Sequence, residues 1–384
     1  MKFKKIALSM ALTAASLVSV STWAADAGPI KIVGLVELTG PGTTSGTNFD
    51  DGIKLAVKEI NAAGGILGRK VEYKSQDTQS NPGVAKGLTE QAVDDGAYIV
   101  MGPVFSGSIL VSMAVTKNAE IPNFTGGEAA AITQQGNPYV FRSSFTQASA
   151  MPKVANFISD KMKAKSVDIL YVNNDFGKGG RDLIIKSLEA KGIKIGLDIS
   201  TESGQIDFSS AVVKTKQGTG DVLFAYTNEE ESARLLKELS KQGYKKPVVG
   251  ETVLTSQKVV ELAGDAANGA IAHVGLTADA PQAGIKKFDV AFQKEFNFRS
   301  DHNGIKGYTS MYIVKAVTEK LGKVDSKAFA QAMKGLTLSA KTYPGILMDI
   351  SFDDKGDLDR ESYMTKIVNG KQVVTDILAP LNKK

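Results

Sequence analysis

Length, composition and charge exclude several classes of function. The chain has 384 residues, 42% of them hydrophobic and 23% charged, and its net charge of +5 includes Lys2, Lys4 and Lys5 of the N-terminal segment. Without those three charges +2 remains, too little for a nucleic-acid surface, and the absence of cysteine excludes disulfides, thiolate metal sites and a cysteine-linked lipid anchor.

The first 24 residues have the pattern of a secretory signal peptide. The three lysines precede an apolar run from Ile6 to Val20, and Thr22-Trp23-Ala24 resembles a small-residue cleavage site. The run is shorter than the roughly 20 residues that span a bilayer, so an uncleaved anchor fits less well. We expect cleavage after Ala24 and a soluble mature protein of the Gram-negative periplasm, where ATP, NAD and DNA are not its partners.

The mature chain of about 360 residues is too long for one core and predicts two domains. In its first part, strand and helix patterns alternate, which is typical of a parallel sheet with helices on both faces. The predicted strands are Ile30–Leu38, Val71–Lys74, Ala97–Val104 and Ile121–Thr125, and the predicted helices are Phe49–Ala63, Pro82–Val93 and Ser106–Asn118.

The same alternation then begins again and predicts a second α/β lobe. Its predicted elements are helices Met151–Met162, Gly180–Lys191, Phe208–Lys216, Glu230–Gln242 and Gln257–Ala263, with strands Val167–Asn173, Ile193–Ile199, Val222–Tyr226, Pro247–Gly250 and Ala270–Val274. Three helices and three β segments complete the chain: Ile285–Phe296, Ile305–Leu321, Lys327–Lys334, Ile346–Phe352, Tyr363–Val368 and Gln372–Leu378. Asn369-Gly370 between the last two predicts a hairpin.

Two such lobes form a cleft, and the residues after the strands face it. In the first lobe, Phe105 and Ser106 follow the third strand, and Ser106 has the position of a helix N-cap beside an anion-binding helix start. Thr125, Gly126 and Gly127 follow the fourth strand and allow a close backbone approach to a ligand. The next residue, Glu128, would repel an anion unless it points away or meets a ligand ammonium group.

In the second lobe, three strand ends supply candidate ligand-binding residues. Phe176 is expected either to form a wall of the cleft or to pack in a hinge. Asn228 either contacts the ligand or caps the helix that follows. Glu251 offers a carboxylate, which an enclosed ligand ammonium group requires.

No catalytic or cofactor motif is present. The sequence lacks G-x-S-x-G and H-E-x-x-H, and its two histidines, His273 and His302, are too few for a zinc centre. The glycine-rich turn Gly177–Gly180 lacks the spacing of a phosphate-binding loop. We therefore predict a protein that is not an enzyme and has no metal and no cofactor.

Certain blocks of the mature chain share a pattern with known receptors. They are IVGLVELTGP at Ile32–Pro41, EINAAGGILG at Glu59–Gly68, DTQSNP at Asp77–Pro82, PYVFR at Pro138–Arg142 and FDDKGD at Phe352–Asp357. Together they resemble the periplasmic leucine/isoleucine/valine-binding protein family of ABC transporters, over essentially the whole mature chain.

The resemblance implies an α/β fold of two doubly wound parallel-sheet lobes joined by three crossings, the type I periplasmic binding protein fold. The crossings are expected near Ser144, Val274 and Asp357. Lobe 1 would then contain residues 25–144 and 275–357, and lobe 2 residues 145–274 and 358–384.

The same resemblance implies roles for the candidate residues. Ser106 matches a serine that holds a ligand carboxylate, the Thr125–Glu128 turn a segment of backbone and hydroxyl contacts, and Phe176 an aromatic of the second lobe. Glu251 matches the acid that meets an α-ammonium group, and Asn228 or Glu229 falls where the family often has a tyrosine.

Two departures from the family pattern argue against strict leucine/isoleucine/valine specificity: no aromatic residue lies near Ser45, and Glu128 stands where threonine is typical. The sequence predicts a monomeric solute receptor that binds an apolar amino acid between closing lobes and docks on an ABC permease. Alternatives are a receptor for an amine-free carboxylate, an amide or urea, and a sensory binding subunit without transport.

Overall fold

The computed structural model describes residues 28–380, so the predicted signal peptide lies outside the described residues. The strands are β1 (Ile30–Val36), β2 (Val71–Asp77), β3 (Ile99–Met101), β4 (Asn123–Thr125), β5 (Val140–Arg142), β6 (Ser166–Val172), β7 (Lys194–Thr201), β8 (Val222–Tyr226), β9 (Val248–Glu251), β10 (Ile271–Val274), β11 (Thr337–Leu338), β12 (Ile350–Phe352), β13 (Leu358–Asp359), β14 (Ser362–Val368) and β15 (Lys371–Leu378).

Helices connect most of these strands. They are α1 (Thr43–Ala62), α2 (Pro82–Asp94), α3 (Ser106–Asn118), α4 (Ala131–Gln134), α5 (Gln147–Asn156), α6 (Asp175–Glu189), α7 (Ser209–Lys216), α8 (Glu229–Lys241), α9 (Gln257–Ala263), α10 (Ala283–Phe296), α11 (His302–Leu321) and α12 (Ser326–Ala332).

The strands form two large sheets, and these define the two lobes. The first sheet is parallel with the order β2-β1-β3-β4-β5, and the second has the order β15-β14-β10-β9-β8-β6-β7. In the second sheet β14 and β15 are antiparallel to their neighbours, and the other pairs are parallel. A small antiparallel sheet, β11-β12-β13, packs with the first lobe. The predicted fold class is therefore confirmed.

Each large sheet is covered on both faces, as its sequence requires. Strand β1 is buried at six of its seven positions, and its side chains enter two different clusters. One cluster holds Phe49, Ile53 and Phe292, and the other holds Leu35 and Ala92. Burial on both faces explains why β1 reads as a continuous apolar run and not as an alternating pattern.

Helices α1 and α11 touch through glycines, and this contact positions the ligand-facing end of α11. A Cβ on Gly52 would collide with the backbone oxygen of Gly304, and one on Gly307 with that of Phe49. The absence of side chains therefore allows the two helix backbones to approach closely. As a result, α11 begins beside the carboxyl ends of the first sheet, although it follows the second lobe in the chain.

Several predicted boundaries were wrong for identifiable reasons. Helix α1 begins at Thr43 and not at Phe49, since its first turn is polar and lacks the apolar spacing of a buried helix. Strand β5 was not predicted, because its three residues include the charged Arg142, which is nevertheless completely buried. The segment predicted as one strand, Ile346–Phe352, is a 3-10 turn followed by β12.

The hairpin prediction at Asn369-Gly370 is confirmed. Val368 pairs with Lys371, and both turn residues have positive φ, 50° for Asn369 and 70° for Gly370. Left-handed conformations at both central positions are those of a type I′ turn, which favours Asn-Gly.

The left-handed turn can be tested by alanine substitution at two glycines where an added Cβ would meet no atom within 4 Å. Gly370→Ala should lower the free energy of unfolding by about 1 kcal/mol, because alanine is strained at positive φ. Gly87→Ala, in the exposed interior of α2, should raise the free energy by about 0.5–1 kcal/mol, because alanine is the better helix former. Urea unfolding of both variants measures the two changes, and equal signs would contradict the left-handed turn.

Candidate solute-binding site

A cavity of about 210 Å³ lies between the two lobes at the carboxyl ends of their strands. Of the sequence-predicted site residues, six line it: Phe105, Ser106, Gly126, Gly127, Phe176 and Asn228. Thr125 and Glu251 are buried next to the cavity but are not among its lining residues. The structure thus brings six predicted residues from both lobes around one small cavity.

The start of α3 forms one wall, and a buried carboxylate holds it in place. Glu37 is completely buried and accepts hydrogen bonds from the backbone N–H groups of Val104, at 3.1 Å, and Phe105, at 2.9 Å. Burial raises the pKa of Glu37 to about 7 despite these bonds. The turn that leads into α3 is therefore fixed from inside the first lobe.

The prediction that Ser106 is the N-cap of α3 was wrong. Phe105 occupies the cap position and Ser106 is the first helical residue, because the turn held by Glu37 already ends at Phe105. The hydroxyl of Ser106 accepts a hydrogen bond from the N–H of Ala129 at 3.3 Å, and Ser108 Oγ is buried without a hydrogen-bond partner among residues 28–380. The first intrahelical bond of α3 comes from the N–H of Ile109, so the N–H groups of Ser106, Gly107 and Ser108 remain available at this wall.

The turn after β4 is supported by Arg142 from β5. Its guanidinium donates to the backbone oxygens of Gly127 and Ala129, each at 3.1 Å, and pairs with Asp357 at 2.6 Å. Ser144 adds a hydrogen bond to the oxygen of Gly127 at 2.7 Å. Arg142 thus fixes the glycine turn that lines the cavity, although Arg142 itself does not line it.

An ion pair resolves the unusual position of Glu128. Its Oε1 lies 2.8 Å from the Nζ of Lys306 on α11, and both side chains are buried. Lys306 also donates to the backbone oxygen of Gly126, at 3.2 Å, and to Asn303 Oδ1, at 3.4 Å. The acid therefore neither points away nor lacks a partner, since a cation within the protein meets it.

The polar wall continues from lobe 1 to lobe 2. Asn303 Nδ2 donates to Glu229 Oε1, at 3.1 Å, and so joins α11 to α8 at the cavity wall. Burial raises the pKa of Glu128 and then Glu251 raises it further, to about 7, against the opposing effect of Lys306. Burial, followed by Asp301 and Glu230, raises the pKa of Glu229 to about 8. Without a ligand, proton uptake by these carboxyl groups is therefore favoured near neutral pH.

Glu251 lies behind the cavity wall, at the end of β9. One oxygen accepts a hydrogen bond from the hydroxyl of Thr252, at 2.6 Å, and lies 3.2 Å from Nδ1 of His273. Burial lowers the pKa of His273 to about 3, so this imidazole is neutral and gives Glu251 no positive charge. Burial raises the pKa of Glu251 as well.

The lobe 2 wall consists of an aromatic stack and a helix cap. The ring of Phe176 stacks on that of Tyr226, with centroids 4.2 Å apart and planes at 25°. Gln147 ties the two together by donating to the backbone oxygen of Phe176, at 2.7 Å, and to the Tyr226 hydroxyl, at 3.0 Å. Asn228 is the N-cap of α8, and its backbone N–H and Nδ2 both donate to Glu231 Oε2. The capping role that the sequence suggested for Asn228 is thus observed.

Sequence reasoning missed three cavity residues on α11, namely His302, Asn303 and Lys306. It named Glu229 only as an acid at the start of a helix, or as one of two positions where the family often has a tyrosine. Their spacing on α11, at i, i+1 and i+4, places Lys306 one turn after His302 on the cavity side. The usable signal was the polar start of a helix that is otherwise buried along most of its length. The family resemblance assigned this helix to lobe 1, within residues 275–357, but its local pattern did not show that its first turn faces the cavity.

Residues 28–380 contain neither a candidate metal cluster nor a helix that could span a membrane. This part of the chain contains no cluster of three or more histidine, cysteine, aspartate or glutamate residues arranged to hold a metal ion. It also contains no helix that combines the length and the apolar character needed to cross a membrane.

Two α/β lobes around a cavity, with ligand-facing groups at their strand ends, define the class of bilobal solute-binding proteins. Residues 29–372 match the model of the family described as periplasmic binding protein, and the chain belongs to this family. It is similar to the leucine-, isoleucine-, valine-, threonine-, and alanine-binding protein of Pseudomonas aeruginosa, with 24% identity over 91% of this chain and 93% of that protein. The Leu/Ile/Val-binding protein BraC3 of Rhizobium johnstonii is 27% identical over 86% of this chain and 89% of that protein.

Solved structures have the same fold. The substrate-binding protein LivJ of Streptococcus pneumoniae in complex with isoleucine has a TM-score of 0.81 and 25% identity. The match covers 92% of this chain and 100% of that chain. A solute-binding protein of Rhodopseudomonas palustris in complex with benzoate has a TM-score of 0.85 and 21% identity, with 92% of this chain and 97% of that chain covered.

The Lys306–Glu128 pair leads to a prediction about stability and pH. Lys306→Met should lower the free energy of unfolding by about 3–5 kcal/mol at about pH 8, since it leaves a buried carboxylate uncompensated. The folded-state pKa of Glu128 would then lie even further above its unfolded value, so the loss should shrink at about pH 5.5, where the carboxyl group is protonated.

Urea unfolding at both pH values measures this difference. The matched control is Lys58→Met, which removes the exposed pair with Glu295 and should cost about 1 kcal/mol or less at either pH. An equal cost of Lys306→Met at both pH values would show that Glu128 is not the group left unpaired.

Proposed function

We propose that this protein is the solute receptor of an ABC importer and binds an amino acid with an apolar side chain between its two lobes. Family membership supports the receptor role. The observation that carries the ligand class is a cavity with three chemically different walls: serine hydroxyls and the α3 start, an acidic wall that includes Glu128 and Glu229, and apolar side chains. A zwitterion with an apolar side chain complements such walls.

In this proposal the ligand carboxylate lies at the start of α3. Ser106 and Ser108 offer hydroxyl groups there, and the first-turn N–H groups add donors and a partial positive charge. The ammonium group faces the acidic wall, where Glu128 and Glu229 lie and behind which Glu251 is buried. The side chain packs against Phe105 and Phe176.

Closing of the lobes around the ligand is part of the proposal. Gln147 N–H donates to the backbone oxygen of Glu128, at 2.9 Å, and Thr44 bonds to Glu230, so both sides of the cavity already touch. A ligand that contacts both walls would select this closed arrangement. We also propose lobe limits of 25–144 with 275–357 and of 145–274 with 358–384.

The cellular setting extends the same proposal. Residues 1–24 would act as a cleaved signal peptide, and the mature protein would be a monomer that delivers its ligand to a membrane permease. A sensory partner without transport is the alternative, and the identity of the protein that binds the closed form distinguishes the two. The candidate contacts of Thr125 and Asn228 with the ligand stay predictions.

A thermal-shift screen of the mature protein tests the ligand class. Leucine, isoleucine or valine should raise the melting temperature, because a ligand that binds only the folded state stabilises it by mass action. Ser106→Ala and Ser108→Ala should each weaken binding about tenfold, since each removes a donor to a charged group. Ser112→Ala, on the same helix but not lining the cavity, is the matched control.

The screen also includes benzoate, other amine-free acids, amides and urea. A rise in melting temperature with amine-free acids alone would support the receptor role but would show that the ligand is not an amino acid. No shift with any of these compounds, together with intact folding, would contradict the proposed ligand class.

A further inference from the structure

The cavity wall contains more negative than positive groups. Among its described lining residues, three side chains carry carboxyl groups, Glu128, Asp175 and Glu229, and Lys306 is the single lysine or arginine. Glu251 lies directly behind the wall. A ligand ammonium group therefore has four candidate acceptors, and their surroundings distinguish them.

Two of these acids are satisfied by other groups, and the third does not line the cavity. Glu128 pairs with Lys306 at 2.8 Å, and Asp175 is exposed at the cavity edge, where water solvates its charge. Glu251 Oε1 accepts a hydrogen bond from Thr252 and lies beside the ring of His273. Its Oε2 has no hydrogen-bond partner among residues 28–380, but Glu251 is not a lining residue of the cavity. None of the three has both a deficit of positive charge and direct contact with the cavity.

Glu229 has both. It lines the cavity, only 3% of its surface is exposed, and its hydrogen-bond partner is the neutral amide of Asn303. Lys306 acts on it from a distance but is itself paired with Glu128. A carboxylate offers about four acceptor positions, and Asn303 uses one of them. Buried charges are normally paired, so this position lacks a cation that a ligand can supply.

We infer that Glu229, and not Glu251, accepts the ammonium group of the bound amino acid. This inference rests on the proposed function and names the residue that distinguishes amino acids from amine-free acids. Glu229 is the first residue of α8 in lobe 2, and Asn303 begins α11 in lobe 1. An ammonium group on Glu229 would therefore strengthen a contact that already joins the lobes.

Proton release accompanies binding in this arrangement. Burial, Asp301 and Glu230 raise the pKa of Glu229 to about 8 in the empty cavity, whereas Lys306 and the Glu229 backbone lower it. A ligand ammonium group favours the ionised carboxylate and lowers that pKa. The affinity for leucine should therefore rise as the pH increases from about 6 to about 8, and fall as the carboxyl group becomes protonated.

A ligand-and-mutant cycle tests the assignment. Leucine is compared with 4-methylpentanoate, which is leucine without its amine, on the wild type and on Glu229→Gln, Glu251→Gln and Glu229→Asp. Glu229→Gln should weaken leucine at least about tenfold and 4-methylpentanoate less than about threefold, because the coupling is to the amine. Glu251→Gln should change both affinities by similar factors. Glu238→Gln, partly exposed on the same helix and outside the cavity lining, is the control and should change neither affinity.

Calorimetry of leucine binding in buffers of different ionisation enthalpy supplies a second readout. Proton release near neutral pH should occur in the wild type and disappear in Glu229→Gln. Glu229→Asp keeps a carboxyl group and should retain part of the proton release, so it tests the inference even if the Gln variant folds poorly. Coupling at Glu251 and none at Glu229 would overturn the inference while the receptor function stands. Failure of the wild type to bind leucine or any other amino acid would overturn the proposed ligand class and the inference together.

Discussion

The pairing of buried charge is the constraint on which the binding site depends. Lys306 carries its charge into the space between the lobes and meets Glu128 at 2.8 Å, with Gly126 and Asn303 as further acceptors. This is possible because glycines let α11 lie against α1, which directs the first turn of α11 into the cavity. One helix contact thus determines where the charged wall lies, and hence which groups a ligand meets.

Two other buried charges shape lobe 1 without lining the cavity. Glu37 holds the N–H groups before α3, and Arg142 holds the backbone oxygens of the glycine turn. Each would be costly alone, but its hydrogen bonds offset the loss of hydration. Rigid support of this kind lets lobe 1 present its donors to a ligand with little reordering, so that less of the binding free energy is lost.

Much of the fold follows from local pattern, but the site only in part. The bounds of α3, β8 and α9 agree with the sequence expectation, because apolar period and turn residues set them locally. The same logic located the strand ends, and with them Ser106, the Gly126-Gly127 turn and Phe176. It missed β5, whose Arg142 is buried only because Asp357 and the turn oxygens surround it. It also missed the role of Lys306, since the direction in which the first turn of α11 faces is set by tertiary packing.

The position of Glu251 shows why residue matching alone does not assign a role. The family pattern selects it as the ammonium acceptor, yet in this chain Glu128 stands where threonine is typical of the family, and its side chain reaches Lys306. The charge of Lys306 is therefore already paired with Glu128 inside the protein. The deficit of positive charge then falls on Glu229, which faces the cavity with an amide partner. Glu229 belongs to lobe 2 and its partner Asn303 to lobe 1. An ammonium group bound by Glu229 would therefore also favour the closed arrangement of the two lobes.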